Sequence, residues 1–238
     1  FIVDLKGLDV RQPEIQIKPF IVQNQRLKSW RHVGSPTYVF NTKLEFNFKP
    51  ETLFDGGNEY FFFDTQEIRS SGGNVSYVLR NKLFNSILNT NWIRSGRPYT
   101  YSPDINGDFR INTFNGSNAH TESDYSKVTF SLFPEDFLFD GEHYVVGDFN
   151  QHIKNEQSKL SFNSETSKFE KTILLKQGIY NYKFSSTNNK GIAYNNLISG
   201  NYWATENSYH VLIYYRAIGA RCDQLIAVGN SNSVNIDL

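Results

Sequence analysis

Short runs of alternating apolar and polar residues, separated by turn residues, recur along almost the whole chain. Side chains on a strand point alternately to opposite faces, so such runs predict strands with one buried face. Typical runs are EIQIKPFIV, SKVTFSLF, EHYVVGDF, FEKTILL and IYNYKF. Turn signals such as Asn106-Gly107 and Asp140-Gly141 lie between them. Helical periodicity is hard to find, and the pattern predicts an all-β protein.

The polar stretch NTFNGSNAHTES, residues 112–123, interrupts the alternation and predicts a linker. About 115 residues lie on either side of it, close to the ~100 of one immunoglobulin-like sandwich. Aromatic residues make up 16% of the chain, mostly Phe and Tyr, which is ample material for two cores of strands. We therefore predict two tandem immunoglobulin-like β-sandwich domains, residues 1–119 and 120–238.

Composition argues against several classes of protein. The formal net charge is zero, whereas proteins that bind nucleic acid backbones usually carry a clustered basic excess. The chain has one cysteine and therefore no intrachain disulfide. No apolar run approaches the ~18 residues of a spanning helix, so direct membrane insertion is not expected. Methionine is absent even at position 1, and we expect a fragment or a processed product.

Sequence signatures of catalysis and metal binding are missing. Neither a G-x-S-x-G nucleophile elbow nor a P-loop occurs, and the five histidines are scattered. The segment DINGDF superficially resembles a calcium loop, but its glycine, Gly107, is fourth rather than sixth and Asn115 occupies the twelfth position. We interpret it as a turn at Asn106-Gly107. We expect no enzymatic activity, no cofactor and no metal.

Two segments of the second half resemble the glycogen-binding modules of kinase β subunits and branching enzymes. They are VVGDFNQ, residues 145–151, and FEKTILLKQGIYNYKF, residues 169–184. The resemblance implies an early-set immunoglobulin-like sandwich for residues 120–238 and, as an alternative function, a carbohydrate-binding module of a glycan-using bacterium. The sequence departs from that pattern where the sugar-stacking Trp is expected, because His152 stands there.

A broader resemblance covers nearly the whole chain. The segments GGNEYFFFD, YSPDINGDFRI, ESDYSKVTFSL, LLKQGIYNYKF and TENSYHVLIYYRAIGARCDQLIAVG occur in this order. Their order and wording are similar to the type IX secretion system plug proteins of Bacteroidetes, although Cys222 stands where an aromatic residue is expected. Members of that family carry a further β-rich domain upstream of the part that matches this chain. The resemblance implies a non-enzymatic periplasmic protein, peripherally associated with the outer membrane, that binds the large β-barrel translocon and closes its periplasmic opening.

The strand predicted at residues 209–215 is apolar on both faces. Tyr209, Val211, Ile213 and Tyr215 share one face, and His210, Leu212 and Tyr214 share the other. Either a neighbouring domain or loop covers the second face, or that face belongs to a partner-binding patch. The candidate partner-binding residues lie on and around this strand: Trp203, Tyr214, Arg216, Arg221 and Asp223. An arginine paired with Asp223 would also stiffen a hairpin loop at residues 216–223.

Overall fold

The computed structural model describes residues 1–47, 50–188, 190–194 and 196–235. The chain forms strands β1 to β17, in order: Ile2–Asp4, Ile17–Gln23, Arg31–His32, Tyr38–Val39, Lys43–Glu45, Phe61–Asp64, Val75–Arg80, Phe84–Leu88, Phe109–Ile111, Tyr125–Leu132, Gly141–Val146, Ser161–Asn163, Lys168–Lys176, Gly178–Asn188, Ala193–Tyr194, Ser208–Tyr215 and Gln224–Asn232. The prediction of an all-β protein is confirmed.

Helices contribute little. In the ranges that the structure describes, the two α-helices, α1 Pro13–Gln16 and α2 Ala119–Glu122, have four residues each. Single 3₁₀ turns occur at Leu27–Ser29, Pro50–Thr52, Asp136–Asp140, Asp148–Asn150 and Ser233–Asn235. Among the described residues, no helix has the length and apolar character needed to cross a membrane.

The chain divides into two compact units, but not at the predicted boundary. Unit 1 consists of Phe1–Gly56 together with Trp203–Leu238, and unit 2 is Gly57–Tyr202. The predicted division into residues 1–119 and 120–238 is therefore wrong. Unit 2 is continuous in sequence, and the two segments of unit 1 flank it.

Unit 2 contains two sheets that face each other across one core. One sheet has the strand order β12-β13-β10-β8-β7, and the other is built on β14, which pairs with β11, β15, β6 and β9. Phe63 on β6 packs against Phe130 on β10 with ring centroids 5.5 Å apart, and Tyr182 on β14 lies 5.0 Å from the same ring. These contacts close a β-sandwich around aromatic side chains.

The predicted linker at residues 112–123 is a loop inside this sandwich. Each of the two sheets contains strands from both sides of this loop: β8 pairs in parallel with β10 in one sheet, and β9 pairs with β14 in the other. The loop satisfies its polar backbone locally: the Asn118 side chain accepts from the His120 N–H, and Glu122 accepts from the Asn118 N–H. Its Asn-, Ser- and Thr-rich composition therefore reflects capping and turn formation within one unit.

The turn at Asn106-Gly107 forms as predicted. Both residues have positive φ, 56° and 93°, and the Asp108 N–H donates to the Ile105 carbonyl over 3.1 Å. This is the geometry that favours an Asn-Gly pair. The Asp104 carboxylate accepts from the backbone N–H groups of Tyr60 and Asn106. DINGDF is thus a structural turn whose first carboxylate orders the backbone.

Unit 1 also places two sheets around a core. The larger sheet has the order β17-β16-β2-β3, and the smaller has the order β1-β5-β4. The core contains Val3, Leu44, Ile17 and Ile213, with Val211 and Tyr215 packed against it. On the face that Tyr209, Val211, Ile213 and Tyr215 share, the last three are confirmed as facing the core. Strand β2, from the beginning of the chain, lies beside β16 along its whole length.

Candidate interaction surface

The second face of the large sheet in unit 1 carries a continuous set of apolar side chains. In the antiparallel register, Leu212 on β16 lies opposite both Phe20 on β2 and Val228 on β17, and Tyr214 lies opposite Leu225. Residues directly opposite one another on antiparallel strands share a face. Together with Trp30, which packs on Phe20, they form what we call the outer face: Phe20, Trp30, Leu212, Tyr214, Leu225 and Val228.

Phe20 is the centre of an aromatic cluster on the outer face. The Trp30 ring stacks on it with centroids 4.8 Å apart and an interplanar angle of 17°. Tyr214 approaches edge-on at 5.6 Å, and His32 lies at 5.1 Å. Offset stacking and edge-to-face contact are the favoured arrangements of aromatic pairs. The side chains that contact Tyr214 here belong to its own sheet, and Tyr214 lies outside the core.

Much of the outer face remains accessible to solvent. Trp30 is 51% exposed, Leu225 is 50% exposed and Val228 is 59% exposed. Phe20, Leu212 and Tyr214 are half-buried beside them. Single exposed apolar side chains are ordinary, but a contiguous patch of them marks a site of protein or ligand contact. The outer face has the aromatic content that is enriched at protein interfaces.

A charged cluster borders the outer face at the hairpin loop between β16 and β17. Arg216 donates two hydrogen bonds to the Asp223 carboxylate, from Nε over 2.6 Å and from Nη2 over 3.0 Å. Lys18, opposite Tyr214 in the register, adds a third contact to Asp223 at 3.1 Å. The hydrogen bonds from Arg216 first, and those from Lys18, lower the pKa of Asp223. The predicted pairing of an arginine with Asp223 is confirmed.

The structure brings together some of the predicted partner-binding residues and separates others. Tyr214, Arg216 and Asp223 lie at one end of β16. Trp203 is 95% exposed and begins the second segment of unit 1, and Arg221 is exposed in the hairpin loop. Within the described ranges, no hydrogen bond or ring contact joins Trp203 or Arg221 to the outer face.

Sequence reasoning missed most of the outer face. Phe20, Trp30, Leu225 and Val228 were not among the predicted residues, although a signal for Phe20 exists. The run IKPFIV alternates Ile17 and Ile21 on one face with Phe20 and Val22 on the other. Two-sided apolar character in both β2 and β16 is the pattern that two adjacent central strands of a sheet would produce.

In unit 2, His152 is the residue at which the resemblance to glycogen-binding modules led us to expect a stacking Trp. Its Nε2 lies 2.8 Å from Asp148 Oδ1, and its ring meets Tyr60 edge-on at 6.3 Å. Tyr180 and Tyr182 are 1% and 2% exposed and belong to the core. None of these rings offers a flat exposed platform. Within the part of the chain that the structure describes, no three His, Cys, Asp or Glu side chains form a group that could hold a metal ion.

The fold is similar to the crystal structure of a hypothetical protein from Parabacteroides merdae. The TM-score is 0.87 and the sequences are 30% identical. The similarity covers 97% of this chain and 58% of the other, so this chain spans a little over half the length of that protein. No protein-family model and no curated protein matches this chain.

Proposed function

We propose that this chain is part of a non-enzymatic periplasmic plug, which binds the large outer-membrane β-barrel translocon of a type IX secretion system and closes its periplasmic opening. The observation that carries the proposal is the outer face, an exposed aromatic and apolar surface. The longest of the five resembling segments contributes its residues on β16 and β17. A plug needs no reacting groups. It needs a contact surface and a folded body to carry it.

Two further observations support the proposal. Four of the five resembling segments lie in unit 2, the first of them beginning at Gly56, and the fifth lies in unit 1, so the likeness to plug proteins involves both units. The structural neighbour at 30% identity comes from a member of the Bacteroidetes, the group in which plug proteins occur. The neighbour's chain is longer than this one, which fits a family whose members carry an additional domain.

Unit 2 is the part of the chain for which we propose an early-set immunoglobulin-like assignment. The two segments that resemble glycogen-binding modules contribute β11 and β14, which pair antiparallel with Val145 opposite Phe184. The same pairing is the one observation that favours the alternative, a carbohydrate-binding module. Against it stands His152, whose ring is held between Asp148 and Tyr60 rather than presented to a sugar.

The experiment is retention of the tagged chain by the envelope fraction of a bacterium that has a type IX secretion system. We expect the wild-type chain to recover a very large outer-membrane barrel protein. Tyr214→Ala removes one ring of the outer face outside the core, so it should abolish most of that recovery and lower the melting temperature only slightly. Tyr77→Ala is the matched control, because Tyr77 is 52% exposed on β7 of unit 2.

The proposal fails if the wild-type chain recovers no barrel protein. It also fails if the Tyr214→Ala and Tyr77→Ala variants recover equal amounts of the barrel protein. Calorimetric titration with α-glucans tests the alternative function, the carbohydrate-binding module. Micromolar binding of a glucan would favour the carbohydrate-binding module, and under the plug proposal the titration is expected to give no heat of binding.

A further inference from the structure

The last strand of unit 1 is a long open edge. β17 spans nine residues and, in the part of the chain that the structure describes, pairs only with β16. The opposite edge strand of the same sheet, β3, has two residues, one of them Arg31. Proteins usually protect sheet edges with short strands, charges or proline. β3 follows that rule, whereas Gln224–Asn232 contains no charged residue and no proline.

The hydrogen bonds around β16 show which backbone groups of β17 are open. The Ser208 carbonyl accepts from the Asn24 N–H, and the Arg216 N–H donates to the Gln16 carbonyl. The even-numbered residues of β16 therefore direct their backbone groups towards β2. On the side of β17, the Ser233 N–H donates to the Asn207 carbonyl. Backbone groups of successive strand residues alternate in direction. Odd-numbered residues of β16 therefore bond to β17, and Val228, Asn230 and Asn232 direct their own backbone groups away from the sheet.

A bulge at the beginning of β17 adds apolar side chains to this edge. The register shifts between Ile213 and Tyr214, so Leu225 lies opposite Tyr214 and Ala227 opposite Ile213, with Ile226 packed on the core. Leu225 and Val228 consequently both lie on the outer face. The open backbone edge and the exposed apolar face are thus parts of one surface.

We propose that β17 is the site where a strand of the translocon adds to this sheet. The occupant is an extended segment with apolar side chains where it passes Leu225 and Val228, because only another strand supplies alternating N–H and C=O groups to Val228 and Asn230. Since β17 is uncharged, its affinity comes from backbone hydrogen bonds and apolar contact. The identity of this partner rests on the proposed function.

A second copy of this chain fits the edge less well. Antiparallel self-pairing about Val228 sets Leu225 opposite Ser231 and Ile226 opposite Asn230. Apolar residues occupy the first half of β17 and Asn and Ser the second half, so two copies would place apolar side chains against polar ones. A different strand, apolar at one end and polar at the other, can match both halves.

The test uses two substitutions at one position. Asn230→Ala and Asn230→Pro both remove the amide side chain, but only proline removes the outward N–H, and proline is tolerated at an edge where that N–H faces solvent. Affinities for the purified translocon in detergent are compared for the full chain and both variants. We expect Asn230→Ala to bind within about twofold of wild type and Asn230→Pro about tenfold more weakly. Hydrogen exchange in Gln224–Asn232 of the wild-type chain should slow on binding.

The outcomes separate this inference from the proposed function. Failure of the wild-type chain to bind overturns the proposed function and this partner with it. Wild-type binding with equal affinity of the two Asn230 variants, and no slowing of exchange in β17, overturns strand addition alone. The exchange measurement decides the matter if Asn230→Pro does not fold. Concentration-dependent dimerisation by sedimentation that Asn230→Pro abolishes would assign the edge to a second copy.

Discussion

Ile213 and Leu225 show at the level of single residues how the large sheet of unit 1 separates its two faces. Ile213 is 4% exposed in the core, whereas Leu225 is 50% exposed on the outer face. Ile213→Ala should lower the free energy of unfolding by about 2–5 kcal/mol, through lost burial and the cavity left behind. Leu225→Ala should change it by about 0.5 kcal/mol or less. Denaturant titration of both variants measures the difference, and equal effects would contradict the assignment of the faces.

His143 makes the stability of unit 2 sensitive to acid. Its Nε2–H donates to the Leu138 carbonyl over 2.6 Å, so Nδ1 accepts from the Ser186 hydroxyl at 2.8 Å, and the neutral ring satisfies both. Burial lowers the pKa of His143 below its ordinary value of 6.5. Protonation therefore favours the unfolded chain: the contribution of His143 is complete above that ordinary value and is lost as the pH falls below it.

Replacing His143 with Phe tests this pH dependence. The variant should be less stable than wild type near pH 7.5, because the Ser186 hydroxyl and the Leu138 carbonyl lose their partner. Between about pH 7.5 and pH 5 it should lose less stability than wild type, since it no longer carries a titrating ring. Chemical denaturation at both pH values measures the free energy of unfolding of each protein. An equal loss of stability between the two pH values in wild type and variant would show that His143 does not titrate on unfolding.

At the scale of elements, the passage from β13 to β14 depends on one glycine. The two strands are separated by Gln177 alone yet lie in different sheets, so the chain crosses the sandwich at Gln177 and Gly178. A Cβ on Gly178 would lie 2.3 Å from the Arg110 carbonyl oxygen, an atom of the neighbouring strand backbone. A glycine between two strand-like runs is a turn signal in the sequence. The change of sheet, however, depends on pairing partners far away in the chain.

Gly178→Ala should therefore destabilise unit 2 by about 1–3 kcal/mol or more, because the backbone of β9 must move. Gly229→Ala is the control, since its Cβ would meet only the Val211 side chain, at 4.0 Å. Thermal melting of the two variants gives the comparison. A Gly178→Ala protein that melts like wild type would show that β9 moves aside at no cost.

At the scale of the whole molecule, unit 2 has its two ends side by side. The Tyr202 N–H donates to the Gly57 carbonyl over 2.8 Å, so the ends of this unit meet. A compact unit with adjacent ends has the form of an inserted domain. A fragment of residues 57–202 should fold cooperatively by itself, whereas the fragments 1–119 and 120–238 should not, because each would lack strands of both sheets of unit 2.

Circular dichroism and thermal melting of the three fragments test this division. The 57–202 fragment should give a strand-type spectrum and one sharp transition. Cooperative melting of the 1–119 fragment, with an unfolded 57–202 fragment, would restore the boundary that the polar loop had indicated.

Local patterns in the sequence determined the strand content, the two faces of β16, the Asn106-Gly107 turn and the arginine pair of Asp223. Each of these depends on side-chain alternation or on residues close together in the chain. Which strands pair with each other does not depend on such local features. β2 pairs with β16 although about 190 residues separate them, and β8 pairs with β10 across the presumed linker. Only the tertiary structure decided that unit 1 is discontinuous and that Phe20, Trp30 and Tyr214 share a face, because pairing between distant strands depends on the packing of whole sheets.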